Sequence, residues 1–254
     1  MKTKFYLIVI MFIPIFVLGQ NIKKESIENK AMSPVFTGIQ EISANADELL
    51  RVYLCDNFNC SGVPETCLRE GTVVVKFKVL PSGELTDFEV SNSVCKAVDQ
   101  TFINILKSTE GMWKSSFIND TPRAIEKEVS IMFVKNPYVD DPKKYFTYNA
   151  KLNFKKGNKQ FLHKNSPQKA LKFYDKSIKY RPNETASLLL RGLCRYSIGD
   201  IEGARGDWNK INALEKANAD EYIDKLLGKA NVDEYIGKLC NMEGYAEMQA
   251  VLNK

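Results

Sequence analysis

Gly71-Thr72-Val73-Val74-Val75-Lys76-Phe77-Lys78-Val79-Leu80, followed by Pro81-Ser82-Gly83-Glu84 and then Leu85-Thr86-Asp87-Phe88-Glu89-Val90, is the stretch on which the fold turns. Val73, Val75, Phe77 and Val79 recur at every second position, with Lys76 and Lys78 between them. That is the period of a strand with one face on a core and the other toward water. Pro81 restricts φ and Gly83 supplies the positive-φ position of a tight reversal. Phe88 and Val90 continue the apolar face on the return. The stretch predicts an antiparallel hairpin, and nothing in it is catalytic.

Upstream of the hairpin, composition shifts at Ala46, and Leu49, Leu50, Tyr53 and Leu54 follow helical spacing as far as Cys55. Downstream, Val98, Phe102, Ile105 and Leu106 fall on one helical face that Gly111 ends. Trp113 then opens an expected loop through Pro122. Ile125, Val129, Ile131 and Phe133 alternate again, with Lys127 in their line, and predict a third strand over 124–134. Helix, strand, strand, helix, strand gives an α+β domain: a three-stranded antiparallel sheet with two helices on one face.

With these residues, the order resembles the C-terminal domain of TonB-type energy transducers. The resemblance is carried by Gly71 to Val79, Gly83, Leu85-Thr86-Asp87-Phe88-x-Val90, Cys95, the helix from Val98, Trp113 and the closing strand to Phe133. It covers residues 46–136 and implies that a sheet edge pairs with a short segment of an outer-membrane receptor by strand addition. The third strand, 124–134, is the candidate edge.

Asn136 to Lys144 holds Asn-Pro-Tyr-Val-Asp-Asp-Pro, and 137–147 is expected as a linker. Beyond it the pattern is helical. Phe154, Gly157, Phe161, Ala170, Tyr174 and Pro182 are followed, 34 residues on, by Leu188, Arg191-Gly192, Ala204 and Trp208, with Tyr196 one position past the expected aromatic. This period, with small residues where helices touch, resembles tetratricopeptide repeats. Residues 148–254 are expected as an all-α domain of two such repeats. Two short C-terminal capping helices, from the near-duplicate Asn218 to Leu227 and Asn231 to Cys240, would cover its apolar end.

In tetratricopeptide folds the groove side of the first helix would carry Leu152, Lys155, Lys159, Leu162 and His163. Lys155 and Lys159, one turn apart, suit an acidic or C-terminal carboxylate ligand. Lys155, Lys159 and His163 are therefore the candidate partner-binding residues.

Residues 1–19 stand apart. Lys2 and Lys4 precede an uncharged apolar run from Phe5 to Gly19, with Val17-Leu18-Gly19 before an expected cleavage at Gln20. The rival is an uncleaved anchor, although the run is shorter than the roughly 20 residues of a membrane-spanning helix. Residues 20–45 form a polar leader. Cleavage removes Lys2 and Lys4 and takes the formal net charge from +5 to +3. That charge, spread among acidic residues, gives no expectation of nucleic acid. In an exported chain Cys55, Cys60, Cys67 and Cys95 are candidates for one or two disulfides, with buried free thiols or a metal site as the alternatives. Cys194, inside a helical apolar pattern, is expected as a core thiol.

The chain has a single histidine, His163, and contains no Gly-x-Ser-x-Gly elbow, P-loop or Gly-x-Gly-x-x-Gly. No enzyme, cofactor or metal is expected. The expectation is a periplasmic adaptor of a Gram-negative envelope that binds protein segments, touching membrane only if the N-terminal segment is retained. The alternative is an anchored energy transducer serving outer-membrane transport.

Overall fold

The computed structural model describes residues 6–11, 31–32, 35–37, 46–58, 63–64, 67, 69–114, 116–118, 121–134, 138–214 and 239–253. They belong to two compact units, Met1–Pro142 and Lys143–Lys254. The first is mixed α and β around a small antiparallel sheet, and the second is helical. The expected capping segments 218–227 and 231–240 lie almost wholly outside the described residues, as does Cys60.

In the first unit, the described elements begin with β1 (Tyr6–Met11), β2 (Ala31–Met32), β3 (Val35–Phe36) and α1 (Ala46–Asn57). The hairpin follows as β4 (Gly71–Val79) and β5 (Leu85–Asn92), then α2 (Lys96–Lys107). Short strands β6 (Trp113–Lys114), β7 (Ser116–Ile118) and β8 (Thr121–Arg123) lead into β9 (Ile125–Val134). The main sheet runs β1-β9-β4-β5, with β4 pairing Val79 to Ile125 and Gly71 to Phe133 across β9.

The core forms where the alternation puts it. Val73, Val75, Phe77 and Val79 of β4 meet Val129, Ile131 and Phe133 of β9. Leu50 and Leu54 of α1, with Val98, Phe102, Ile105 and Leu106 of α2, complete the same cluster. Gly83 is held at φ +85°, and a Cβ there would meet the Trp113 carbonyl oxygen at 2.8 Å, so the turn excludes any side chain on two counts. Asp87 takes a positive φ of 53° where the β4–β5 register shifts, and its carboxylate lies 2.7 Å from Lys78. Asp99 accepts hydrogen bonds from the Ser93 hydroxyl and, at 3.4 Å, the Val94 N–H, tying the end of β5 to the first turn of α2. Burial pushes the Asp99 carboxyl up from the ordinary aspartate value against those bonds.

Two expectations are corrected. The sheet has four strands, not three: β1, from within the expected export segment, pairs antiparallel with β9 from Tyr6↔Val134 to Met11↔Val129. An edge strand's free N–H and C=O groups favour pairing with an apolar, β-branched segment such as Tyr-Leu-Ile-Val-Ile-Met. The expected loop from Trp113 is instead the strands β6 to β8, because the leader supplies partners: Phe36 pairs with Trp113 and Met32 with Phe117. Phe36 is buried, with its ring 5.5 Å from Trp113 and 5.8 Å from Tyr53, so the leader contributes to the core. As expected of the four candidate cysteines, one pair forms a disulfide: Cys67 and Cys95, with Cα atoms 5.4 Å apart. The bridge fixes the approach to β4 against the start of α2.

The second unit comprises α3 (Pro142–Asn158), a π-helical turn (Lys159–His163), α4 (Pro167–Tyr180), α5 (Thr185–Ser197), α6 (Ile201–Leu214) and α7 (Tyr245–Leu252). α3 begins at Pro142, inside the stretch expected as linker, with proline at the helix start where its missing N–H costs nothing. The helices pack through small residues against large rings. A Cβ on Gly157 would meet the Tyr174 ring at 2.5 Å, and one on Gly192 would meet the Trp208 indole nitrogen at 2.2 Å. Ala170, Ala204, Tyr174, Trp208 and Cys194 are all buried in the same cluster. Burial among these groups holds the Cys194 thiol protonated, its pKa far above the ordinary value. Ser177 donates to the Ala150 carbonyl at 2.9 Å and lies 2.9 Å from the Ser187 hydroxyl, joining α3, α4 and α5.

Gly206, on the same helix as Trp208, has open space where a Cβ would stand. Gly206→Ala is therefore expected to stabilise the chain by ~0.5–1 kcal/mol through helix propensity. Gly192→Ala is expected to destabilise it by ~1–3 kcal/mol through the clash with Trp208. Urea midpoints of the two variants check this; equal shifts would contradict the close approach.

Candidate functional site

Two features of the described residues have the shape of binding surfaces. The first is the outer edge of β9. Its main-chain groups accept an extended segment over six consecutive residue pairs, and that segment is β1.

The second is a cleft of about 530 Å³ in the helical unit, lined by Lys155, Asn158, Lys159, His163 and Lys164. All three candidate partner-binding residues, Lys155, Lys159 and His163, are brought together there. Asn158 and Lys164 join them and were not anticipated. Leu162, expected on the groove side, is turned into the core with 8% of its surface exposed. The cause is the π-helical turn over Lys159–His163, which widens the helix and rotates the residues after Asn158 relative to an α-helical continuation.

The insertion behind that turn is visible in the sequence. Gly157 and Ala170 are 13 residues apart, whereas their counterparts Gly192 and Ala204 are 12 apart. The first helix pair thus carries one residue more, and the π-turn absorbs it. The displaced Tyr196 is the same signal. Thirty-five residues beyond Lys155, Asn158 and Lys159 stand Leu190, Leu193 and Cys194, all buried. Positions that are apolar core in the second pair are polar and at least partly exposed in the first.

Asn158 is oriented by its neighbour. The Tyr174 hydroxyl donates to Asn158 Oδ1 at 2.9 Å, which leaves the amide N–H groups as the free donors of that side chain. Tyr174 is itself packed on Gly157. Among the described residues no carboxylate lies within ion-pair distance of Lys155, Lys159 or Lys164.

The charge expectation is also corrected. From Pro142 through Tyr174 there is no Asp or Glu, and nine lysines: Lys143, Lys144, Lys151, Lys155, Lys156, Lys159, Lys164, Lys169 and Lys172. All nine are exposed. With the whole chain at +5, the remainder nets −4, so the positive charge is concentrated in this stretch rather than spread.

Elsewhere the unit carries a partly buried ion network. Arg191 reaches Asp207 through Nε at 3.0 Å and Nη2 at 2.7 Å, and Asp175 through Nη1 at 3.0 Å. Arg195 meets the same Asp207 at 3.0 Å. It ties α4, α5 and α6 together. Among the described residues no group of three or more His, Cys, Asp or Glu is placed to hold a metal ion, and no helix is long and apolar enough to cross a membrane. No protein-family model matches the chain, and no curated protein aligns with it significantly.

Proposed function

We propose that the chain is an exported envelope adaptor without catalytic activity, whose sheet unit binds an extended protein segment and whose helical unit binds a second one. The observation that carries this is the β9 edge, which seats an extended apolar strand in antiparallel register from Val129 to Val134. Main-chain pairing of that kind supplies affinity with little dependence on side chains. The reading is supported by the resemblance of 46–136 to TonB C-terminal domains and of 148–254 to tetratricopeptide repeats, both of which serve protein recognition.

Removal of residues 1–19 on export would take β1 away and leave β9 as an open edge. The occupant in the envelope is then an extended segment of another protein, an outer-membrane receptor segment among the candidates. The test has two parts. Intact mass of the protein from the envelope is expected to place the N-terminus at Gln20. Hydrogen exchange of that mature chain is expected to show the β9 amides gaining protection when a peptide copy of Tyr6–Met11 is added. Unchanged exchange would sink the strand-addition reading. Retention of residues 1–19 would instead favour an anchored energy transducer.

A further inference from the structure

We infer that the solvent face of α3 is a peripheral membrane contact, which rests on the headgroups of an anionic bilayer through its lysines and two apolar side chains. This contact goes beyond the protein-binding reading and does not depend on it. Its partner is lipid, and its surface is not the N-terminal segment.

The helical unit sorts its cations by type. Its four arginines all hold carboxylates: Arg181 meets Glu184 at 2.9 Å, Arg191 and Arg195 share Asp207, and Arg205 meets Glu247 at 2.9 Å. The run from Pro142 to Tyr174 contains no arginine. Among the described residues, Lys151, Lys155, Lys156 and Lys159 of that run have no carboxylate within ion-pair distance. A guanidinium fork reads one carboxylate or phosphate at a fixed angle, whereas an ammonium on a flexible stem is a point charge with no required direction. Lysines alone suit a diffuse sheet of negative charge better than one defined anion.

Between those charges the crest of α3 is apolar. Phe146, Ala150 and Gly157 face the core, and Tyr148 and Leu152 lie one above the other on the opposite side. Helical spacing puts Lys151 on one flank of that pair and Lys156 on the other. Tyr148 is 65% exposed and Leu152 36%, and neither lines the neighbouring cleft. Side chains standing on a convex helix face need no pocket to meet a soft planar surface. Tyrosine sets its ring at headgroup level with its hydroxyl in water, and lysine stems lie along the apolar layer with their ammonium groups among the phosphates.

The surrounding stretch sets the sign of the surface. Nine exposed lysines and no Asp or Glu stand between Pro142 and Tyr174. Each basic residue held near an anionic leaflet raises partitioning about fivefold, so a few of them bind without any membrane-spanning element. Tyr148 and Leu152 then add apolar contact that a free anion in solution cannot use.

Co-sedimentation of the protein isolated from the envelope tests this. The vesicles are phosphatidylcholine with about one-third phosphatidylglycerol, against phosphatidylcholine alone. Binding to the anionic vesicles is expected to be at least ~tenfold tighter, and to be lost in ~1 M salt, where the Debye length is about 3 Å. A retained apolar N-terminus would bind both vesicles and survive salt, so the two dependences single out the lysine face. Lys151→Glu with Lys156→Glu is expected to weaken binding at least ~tenfold. Lys96→Glu with Lys114→Glu, the same change in net charge on exposed lysines of the sheet unit, should leave it within about twofold. Tyr148→Ala with Leu152→Ala should weaken it ~three- to fivefold. Should the reversed pair fail to fold by Trp208 emission, Lys151→Gln with Lys156→Gln replaces it, with a loss of ~fivefold or more.

Equal losses in the two charge-reversed pairs would overturn the site and leave only general attraction. Equal binding to the two kinds of vesicle would overturn the anionic bilayer as partner. Release from the vesicles by inorganic phosphate at matched ionic strength would overturn it too, as would tighter binding of a single-stranded oligonucleotide. None of these outcomes touches strand addition at β9, which is read by amide exchange in a different unit.

Discussion

Asp207→Ala is expected to lower the stability of the helical unit by ~3–5 kcal/mol, and Asp175→Ala by less than ~1 kcal/mol. Both carboxylates touch Arg191, so charge alone predicts similar costs. Their surroundings differ. Asp207 is 4% exposed and receives two hydrogen bonds from Arg191 and an ion pair from Arg195, while Asp175 is half exposed and makes one contact. The Arg191 side chain is only 15% exposed. Burial opposes its charge, and the hydrogen bonds and charge of Asp207 and then Asp175 more than offset that, holding its pKa above the ordinary value. Remove Asp207, and a guanidinium with little access to water loses its main partner; remove Asp175, and water replaces it.

The two tryptophans of the chain, Trp113 and Trp208, fall one in each unit, so the measurement is direct. Urea unfolding followed by Trp208 emission in a Trp113→Phe background reports the helical unit. Pairing Asp207→Ala with Arg191→Met is expected to recover much of the loss, since the uncompensated charge goes too. A cost for Asp207→Ala below ~1 kcal/mol would show that the network is decorative.

The hairpin, α1, α2 and β9 were legible because each repeats its apolar residues over at least two periods. Val73 to Val79 does so at every second residue, and Val98 to Leu106 at helical spacing. The leader strands were not legible for the opposite reason. Ala31–Met32 and Val35–Phe36 are two residues each, and a period cannot be read from two positions. Their placement depends on Trp113 and Phe117, far away in the chain. β1 was hidden differently: a short apolar run carries no periodicity that separates a strand from an export segment.

For the site, the pair Lys155 and Lys159 was readable from helical spacing. Lys164 was not, because an unbroken α-helix points it elsewhere; Asn158 shares a helical face with Lys155, but the orientation of its amide depends on Tyr174, 16 residues away. The sequence did hold two clues to them. One was the aromatic displaced by a residue at Tyr196, which marked an insertion in the preceding pair. The other was the absence of Asp and Glu from Pro142 to Tyr174, which a whole-chain charge averages away. The disulfide partner of Cys67 could not be chosen from spacing, since four nearby cysteines allow several pairings and only the fold brings Cys95 within reach.

Phe77→Ala is expected to be the most damaging single truncation in the sheet unit, at ~3–5 kcal/mol, with Phe88→Ala costing ~1–2 kcal/mol. Phe77 lies on β4, between β5 and β9, and is fully buried. Its ring stacks on Phe88 with centroids 5.5 Å apart and an interplanar angle of 18°, and meets Trp113 edge-on at 5.7 Å. Trp113 in turn meets Phe36 and donates its indole N–H to the Thr109 hydroxyl at 2.9 Å. One side chain therefore joins the hairpin, the segment after α2 and the leader. Phe88 is partly exposed on β5, an outer strand of the main sheet, so its loss leaves a dent that water fills rather than an internal void. Trp113 emission in a Trp208→Phe background follows the unfolding of this unit. A cost for Phe77→Ala no larger than that for Phe88→Ala would mean that the leader and the segment after α2 are held independently of the hairpin. If the larger cost is found, the packing of β9 and the edge it offers depend on the same apolar face that the alternating valines of β4 define.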